Sequence, residues 1–283
     1  MALKEDKNKI KNGLYLVSTP IGNLKDITLR ALDVLSQSNL ILCEDTRVSK
    51  KLLTFYKIST KILSYHKFNE KKNLEKIVDY LKENQIISLI SDAGTPTISD
   101  PGRILVKRCV QENINVIPIP GVSAITASIS ISGFSDKFYF HGFLSDTDNS
   151  IIKELMFFKD LKCSIIFFIS AKKLIKKFEL LKNFFFDREI LICRELTKLH
   201  ESFYRGKMSE VDKLLFNPKG EVTVIISEQS NVGEKDLNES DKKKIRKLIY
   251  SKSVKDIVRI FSQEKNISKS KIYNYCLQIK NEN

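Results

Sequence analysis

Short apolar segments alternate with amphipathic helical stretches from Gly13 to about Gln229, and this rhythm restricts the fold more than any other feature of the chain. The apolar segments contain four or five residues and many β-branched side chains, which is typical of buried strands. The stretches between them carry apolar residues at helical spacing, as at Leu29, Leu32 and Leu35. Strands that alternate with helices predict an α/β fold with a mostly parallel sheet.

The 283 residues are enough for two or three domains, and the pattern indicates where these lie. We predict an N-terminal α/β domain over residues 11–120 and a second α/β domain over residues 121–230. The polar stretch from Ser227 to Asp241 is typical of a linker, which leads to a small C-terminal helical module over residues 240–283. Strands are expected at 14–17, 40–43, 86–90, 116–119, 138–140, 165–168, 190–193 and 222–226, and helices at 28–35 and 73–83.

The strand at 86–90 leads into a loop of unusual composition. Residues 91–102 contain two glycines and two prolines, together with the polar side chains of Asp92, Thr95, Ser99 and Asp100. Gly and Pro allow a sharply bent backbone that a ligand can approach closely. Open α/β sheets bind ligands at the carboxyl ends of their strands, so this loop predicts a binding site. An ordinary surface loop with a capping Asp is the alternative.

The charge of the chain is unevenly distributed. Its formal net charge is +14, and the segment from Glu239 to Asn283 supplies half of it, with twelve Lys and Arg against five Asp and Glu. Two short amphipathic helices are expected there, at 254–261 and 268–275, and their arrangement resembles a helix-turn-helix. A basic helical module predicts a nucleic-acid partner, whereas a generally Lys-rich composition is the alternative explanation.

Cysteine and histidine usage points away from disulfides and metals. The five cysteines are scattered through apolar patterns, which is typical of reduced core residues in a cytoplasmic protein. The three histidines do not have metal-ligand spacing, so no metal site is expected, although His66 can lie at a strand end near a site. No apolar run approaches the roughly 20 residues of a membrane span, and the N-terminus has no apolar signal core, so neither membrane insertion nor export is expected.

Common nucleotide-binding motifs are missing from the sequence. A Gly-x-Gly-x-x-Gly motif does not follow the first strand, and there is no Gly-Lys-Ser/Thr loop. Neither a dinucleotide site of the Rossmann type nor a P-loop is therefore predicted. A nucleophile elbow, which would indicate a serine hydrolase, is also missing.

Several motifs instead occur in the order that is found in one known family. They are Ser-Thr-Pro-Ile-Gly-Asn-Leu-x-Asp-Ile-Thr at 18–28, Glu-Asp-Thr-Arg at 44–47, Ser-Asp-Ala-Gly-Thr-Pro-x-Ile-Ser-Asp-Pro-Gly at 91–102, Pro-Gly-x-Ser-Ala at 120–124, Arg-Glu-Leu-Thr-Lys at 194–198 and Gly-Glu at 220–221. On these motifs the chain resembles the tetrapyrrole-methylase-like family, and more narrowly its branch of small-subunit ribosomal RNA methyltransferases of type I. The resemblance spans roughly residues 13 to 279.

The resemblance implies a fold, a reaction and a cofactor. The fold would be two α/β domains of tetrapyrrole-methylase type with the cofactor cleft between them. The reaction would be the 2′-O-methylation of a cytidine ribose in the decoding centre of 16S rRNA, with S-adenosylmethionine (SAM) as donor. A cytoplasmic homodimer that acts on 16S rRNA or the small ribosomal subunit is also implied. The implied cofactor-binding residues are Pro20, Gly22, Asp92, Ala93, Gly94, Thr95, Pro96, Ser123, Ala124, Arg194, Glu195 and Leu196.

Methyl transfer to a ribose hydroxyl needs alignment and a proton acceptor, but no metal. Four carboxylates in the matched motifs could accept the proton: Asp26, Glu44, Asp45 and Asp100. We favour Asp45 as the general base and Arg47 as the substrate anchor. For each carboxylate, a role in helix capping or in an ion pair with a neighbouring arginine is an equally good explanation.

The chain departs from the branch at two places, and two other functions stay open. Residues 169–173 read Ile-Ser-Ala-Lys-Lys where the branch commonly has Glu-Ser-x-His-Arg, and Val122 replaces the usual proline. The first alternative function is methylation of a small molecule such as a precorrin. The second is noncatalytic nucleic-acid binding through the C-terminal helices.

Overall fold

Two five-stranded sheets form the main body of the protein. The computed structural model describes residues 10–213, 219–229, 237–250 and 252–265, and positions 272, 273, 275, 276, 278 and 279. The chain divides into two compact units after Ser227, and both sheets belong to the first unit. None of the helices in the described ranges has both the length and the apolar character that a bilayer crossing requires.

All neighbouring strands of the first sheet run parallel. Its strands are β1 (Gly13–Val17), β2 (Leu40–Cys43), β3 (Ile62–Ser64), β4 (Ile86–Ile90) and β5 (Val116–Ile119), in the order β3-β2-β4-β1-β5. Because parallel strands share one carboxyl edge, the segments that follow these strands all begin at the same edge of the sheet. The connecting helices are α1 (Leu29–Gln37), α2 (Thr46–Phe55), α3 (Glu70–Lys82) and α4 (Arg103–Gln111).

Helices cover both faces of this first sheet. Every residue of β4 is buried, which explains its continuous apolar sequence. On one face, Leu14, Ile87 and Leu89 pack in a core that also contains Ile77 of α3 and Leu105 of α4. Tyr15 and Ile90, which are next to these residues in sequence, point to the opposite face. There they pack with Val34 and Leu35 of α1 and with Leu53 of α2.

The second sheet is mixed. Its strands are β6 (Phe138–Phe143), β7 (Ser164–Ser170), β8 (Glu189–Arg194), β9 (Ser202–Lys207) and β10 (Glu221–Ile226), in the order β6-β7-β10-β8-β9. Only β6 and β7 are parallel, and the other pairs are antiparallel. Helices α6 (Asp148–Lys159) and α7 (Ala171–Phe185) pack on one face. Helix α5 (Ala124–Ser130) and Ile21 pack on the other face, so the first half of the chain covers the second sheet there.

The C-terminal unit has a small apolar core of its own. It contains α8 (Glu239–Leu248) and α9 (Val254–Lys265), and its core includes Ile245, Ile257, Phe261 and Cys276. The outer surface of α8 is strongly basic, with exposed side chains at Lys243, Lys244, Arg246 and Lys247.

The α/β class predicted from the sequence is confirmed, and the expected strands form. Strand β9 was not predicted, because its sequence Ser-Phe-Tyr-Arg-Gly-Lys alternates half-buried and exposed residues at a sheet edge. Helix α8 begins inside the expected linker. The expected helix at 268–275 begins outside the described residues, and the domain boundaries 11–120, 121–230 and 240–283 stay predictions.

Candidate active site

One cavity, which we call the main cavity, lies between the carboxyl edge of the first sheet and one face of the second. Its volume is about 340 Å³, which is within the range of small-molecule sites. One wall consists of the loop after β4 and the first turn of α5. The other wall consists of residues from β7, β8 and β10, including Phe168, Cys193 and Thr223, and of the turn after β8.

Backbone pairing fixes the loop after β4. The Gly94 N–H donates to the Thr19 carbonyl at 3.0 Å, and the Thr19 N–H donates to the Gly94 carbonyl at 2.9 Å. The Thr19 hydroxyl donates to the Ser91 carbonyl at 3.1 Å, and the hydroxyls of Ser18 and Thr95 are 2.9 Å apart. The loop is therefore attached to the segment after β1 at several points.

The same loop contains unusual backbone conformations. Gly94 has φ +78°, and Thr97 and Ser99 have φ +71° and +67°. For a β-branched residue such as Thr97 this region is strained, at a cost of about 1–3 kcal/mol. A Cβ atom at Gly94 would have its nearest neighbour, Ile21 Cγ2, at 3.4 Å, so the space on that side belongs to the cavity.

Charged side chains fix the turn after β8. Glu195, at φ +52°, accepts hydrogen bonds from the Glu221 N–H at 2.9 Å and from Lys198 Nζ at 3.2 Å. Lys198 Nζ also pairs with Glu221 Oε2 at 2.8 Å. Burial opposes ionisation of Glu195, but these hydrogen bonds outweigh it and lower the pKa of its carboxyl. The turn thus presents a fixed set of charges to the cavity.

Most of the cofactor-binding residues that the resemblance implies line this cavity. They are Asp92, Ala93, Gly94, Thr95, Ser123, Ala124, Glu195 and Leu196. The other four, Pro20, Gly22, Pro96 and Arg194, do not line it. Pro20 and Pro96 are buried beside it, and a Cβ atom at Gly22 would lie 2.5 Å from Lys198 Cγ, so Gly22 allows close contact with the turn after β8. The role of all twelve residues in cofactor binding stays a prediction.

Arg194, the fourth of these residues, contacts backbone and supports the turn. Its Nε donates to the Lys219 carbonyl at 2.6 Å, and its Nη1 donates to the His200 carbonyl at 3.0 Å. The side chain is buried, so its charge is stabilised by these carbonyls. Arg194 therefore fixes the position of its neighbours Glu195 and Leu196.

Three carboxylates approach one another at the carboxyl ends of β2 and β4. Burial raises the pKa of Asp100 to about 6, and the neighbouring Glu44 contributes to this rise. Burial, followed by the charge of Asp92, also raises the pKa of Glu44. Burial raises the pKa of Asp92 as well, although a hydrogen bond from the Asp45 N–H opposes this rise. Of these, Asp92 and Asp100 line the main cavity, where a carboxylate with a raised pKa can accept a proton near neutral pH.

Asp45 and Arg47 line a second cavity, which we call the open cavity. Its volume is about 470 Å³, and it is bordered by Glu44, Asp45, Thr46, Arg47, Ser64, His66, Lys67, Phe68 and Asp92. Arg47 donates from Nη2 and Nε to both Asp45 oxygens, and Asp45 also caps α2 by accepting from the Arg47 N–H at 2.8 Å. The hydrogen bonds from Arg47 lower the pKa of Asp45 to about 2. Asp45 is consequently a weak proton acceptor.

Several cavity residues were missed from the sequence. Four of them lie in the second sheet: Phe143, Phe168, Val222 and Thr223. The sequence does not show which face of that sheet meets the first half of the chain. Lys198 and Glu221 lie in matched motifs and could have been chosen on that ground. In the departing stretch at 169–173, Ile169 and Ser170 line the cavity, whereas Lys173 pairs with Asp146.

Within the residues described, no group of three or more His, Cys, Asp and Glu side chains could hold a metal ion. Asp26, the remaining carboxylate considered from the sequence, lies in a short 3-10 turn and does not line either cavity.

Comparison with known proteins gives matches across most of the chain. The profile of the family described as Tetrapyrrole (Corrin/Porphyrin) Methylases matches residues 13–212. A protein of Mesomycoplasma conjunctivae named ribosomal RNA small subunit methyltransferase I is 48% identical over 215 residues, which are 75% of this chain and 90% of that protein. A protein of Thermotoga maritima with the same name is 44% identical over 219 residues, 76% of this chain and 97% of that protein.

The fold is also found in solved structures. The uroporphyrin-III C-methyltransferase of Thermus thermophilus, in complex with S-adenosyl homocysteine, aligns with a TM-score of 0.53 at 16% sequence identity. The alignment covers 76% of this chain and 97% of that one. It shows a shared fold, and the predicted tetrapyrrole-methylase architecture is thereby confirmed.

Gly94→Val is expected to lower the affinity for SAM by at least about 100-fold, because the side chain would fill cavity space beside Ile21. Isothermal titration calorimetry measures this affinity. Gly133→Val is the matched control, since Gly133 has a similar φ of +73° and no heavy atom within 4 Å of an added Cβ atom. Equal affinities of the two variants would show that the cavity does not hold the cofactor.

Proposed function

Because the chain belongs to the tetrapyrrole methylase family, and within it to the ribosomal RNA small subunit methyltransferase I proteins, we propose that it methylates 16S rRNA with SAM as donor. The acceptor that we propose is the 2′-hydroxyl of a cytidine in the decoding centre, as the resemblance implies. One observation carries the proposal. Motifs that are separate in the sequence, at 91–96, 120–124 and 194–198, meet around a single cavity.

The main cavity has the features that SAM requires. Its walls combine apolar side chains, among them Ile21, Leu196 and Val222, with exposed backbone around Gly94. Because adenosine carries no phosphate, it needs apolar and backbone contacts of complementary shape more than a phosphate-binding loop. The charged turn at Glu195 and Lys198 can bind the ammonium and carboxylate of the amino-acid tail. When bound, SAM supplies an electrophilic methyl group and a neutral sulfur leaving group.

The proton of the acceptor hydroxyl needs a carboxylate, and we propose Asp100 for this role. Asp100 lines the main cavity, and because burial raises its pKa to about 6, it accepts a proton more readily than Asp45, whose pKa the hydrogen bonds from Arg47 lower to about 2. In this proposal Asp45, which we favoured as base on the sequence, orients Arg47. Arg47 remains the proposed substrate anchor, since its side chain is 85% exposed.

The basic surface of the C-terminal unit is suited to an RNA partner. We propose that the basic surface of α8 attracts RNA phosphates and raises affinity.

The other two functions fit less well. A precorrin is a polycarboxylate, and the carboxylates of Glu44, Asp45 and Asp92 around the open cavity would repel it. A noncatalytic nucleic-acid regulator would not need the enclosed main cavity with its strained loop. A cytoplasmic homodimer is proposed on the resemblance alone.

The reaction can be tested on small ribosomal subunits from a strain that lacks the gene. Incubation with the protein and SAM is expected to protect one cytidine of 16S rRNA from alkaline cleavage at its 3′ side, because a methylated 2′-oxygen cannot attack the phosphate. Mapping of alkaline cleavage sites measures this. Methylation on a base, or on no nucleotide of the subunit, would contradict the proposal.

Asp100→Asn is expected to lower kcat by about 10²- to 10⁴-fold and to leave the RNA affinity within a few-fold of its original value. In the unchanged protein, kcat should rise with pH through about 6, because the base must be deprotonated. Asp45→Asn, the comparison variant, should lose less than about tenfold in kcat and keep this pH dependence. A larger loss in Asp45→Asn than in Asp100→Asn would return the role of base to Asp45.

Replacement of Lys243, Lys244 and Lys247 by Gln is expected to weaken RNA binding and to flatten its salt dependence, since fewer counterions are released. The slope of log Kd against log salt concentration should fall by up to about 2, while the SAM affinity stays the same. Replacement of the exposed Lys153, Lys159 and Lys162 removes the same charge elsewhere and is the control. Equal slopes for both triple variants would exclude a specific role of the C-terminal unit.

A further inference from the structure

The open cavity has no assigned occupant, although it adjoins the main cavity. Its residues follow β2, β3 and β4 at the carboxyl edge of the first sheet, and Asp92 borders both cavities. A group that enters the open cavity is therefore separated from the methyl donor site by one side chain. This is the position that an acceptor molecule requires in a direct transfer.

Phe68 is an exposed aromatic ring at the rim of this cavity. Its side chain is 94% exposed, more than that of any other large apolar residue among those described. Burial of a phenylalanine is worth about 1.5–3 kcal/mol, so an exposed one forgoes a substantial contribution to stability. Scattered exposed apolar residues are common, but Phe68 stands at the edge of a cavity that shares Asp92 with the proposed reaction centre.

Hydrogen bonds around Phe68 keep the turn that carries it in place. Asn69 Oδ1 accepts from the His66 N–H at 2.8 Å, and Asn69 Nδ2 donates to the Ser64 carbonyl at 3.0 Å. The Phe68 N–H donates to His66 Nδ1 at 3.3 Å, and the two rings meet edge to face with centroids 6.0 Å apart. The ring is thus presented by a preorganised backbone, which lowers the entropy cost of stacking on a ligand.

The charges of the open cavity are arranged for a nucleotide. Arg47 and Lys67 are exposed cations, which suit a phosphate. Glu44 and Asp92 are acceptors for hydroxyl donors, and they would repel a phosphate or a carboxylate in the same place. Because Nδ1 of His66 accepts a hydrogen bond, its Nε2 carries the proton in the neutral ring and can donate. An exposed aromatic ring, exposed cations and carboxylate acceptors together match a base, a phosphate and a ribose.

We propose that the open cavity binds the acceptor nucleotide of the RNA, and that the ring of Phe68 stacks on its base. The inference rests on the proposed function, because it names the place of the substrate in that reaction. Stacking on an aromatic side chain is tolerant of base identity, so Phe68 would position the nucleotide, and other contacts would select cytidine. Phe68 is accordingly a positioning residue for the ribose hydroxyl.

Steady-state methylation of small ribosomal subunits tests this assignment. Phe68→Ala should raise KM for the subunits by about 5- to 150-fold, the range expected for loss of one stacked base, with SAM affinity by calorimetry unchanged. Phe68→Trp should restore KM to within about threefold, because it keeps the aromatic platform. Phe186→Ala removes another exposed phenylalanine, 59% exposed, from the end of α7 and should leave KM unchanged.

Each other result overturns the inference. An unchanged KM in Phe68→Ala would show that the base does not stack there. A parallel loss of SAM affinity would show that the turn supports the main cavity instead. If the unchanged protein does not methylate the subunits at all, the proposed function itself is wrong. If Phe68→Ala methylates them normally, the proposed function stands and only the assignment of the open cavity to the acceptor nucleotide is wrong.

Discussion

The two backbone hydrogen bonds between Thr19 and Gly94 are the contact on which the site depends. β1 and β4 are neighbours in the sheet, and their paired register ends at Leu16 and Leu89. Beyond that point the segments that follow β1 and β4 would be free to separate. The bridge between Thr19 and Gly94 joins them again and fixes the loop that borders the main cavity. Gly94 can make this bridge because it accepts a φ of +78° without steric cost. This part of the cavity wall is thus held in place by backbone hydrogen bonds.

The raised pKa values of Glu44, Asp92 and Asp100 mean that the ionised forms of these carboxyls are disfavoured in the folded protein. The folded state raises the pKa of Asp100 from an ordinary value near 4 to about 6, so folding favours its protonated form. The stabilising effect of that protonation is complete below about pH 4 and is lost as the pH rises through 6. At neutral pH the ionised Asp100 therefore opposes folding. Such a carboxylate is the kind of group that catalysis of proton transfer requires.

The strands and the loop after β4 could be predicted because their signals are local. β-branched runs indicate strands, and Gly and Pro indicate the bend at 91–102. The roles of Asp45 and Asp100 could not be separated in this way. The raised pKa of Asp100 comes mainly from burial and secondly from the charge of Glu44, which is distant in sequence and is brought close because β2 pairs with β4. Phe168 and Thr223 were missed for a similar reason, since only packing decides which face of the second sheet meets α5.

If the open cavity binds the acceptor nucleotide, as we propose, the distribution of charge around it favours RNA over a polycarboxylate. Exposed Arg47 and Lys67 accompany carboxylates at Glu44 and Asp92 whose burial raises their pKa values. A polycarboxylate that filled this cavity would have to place its charges against these two acids. An RNA strand can keep its phosphates near the cations and insert only a neutral base and ribose. The ribose hydroxyl is the group that must reach the methyl donor. Carboxylates that repel a polycarboxylate from the open cavity would therefore also accept a hydrogen bond from this hydroxyl and hold it near the main cavity.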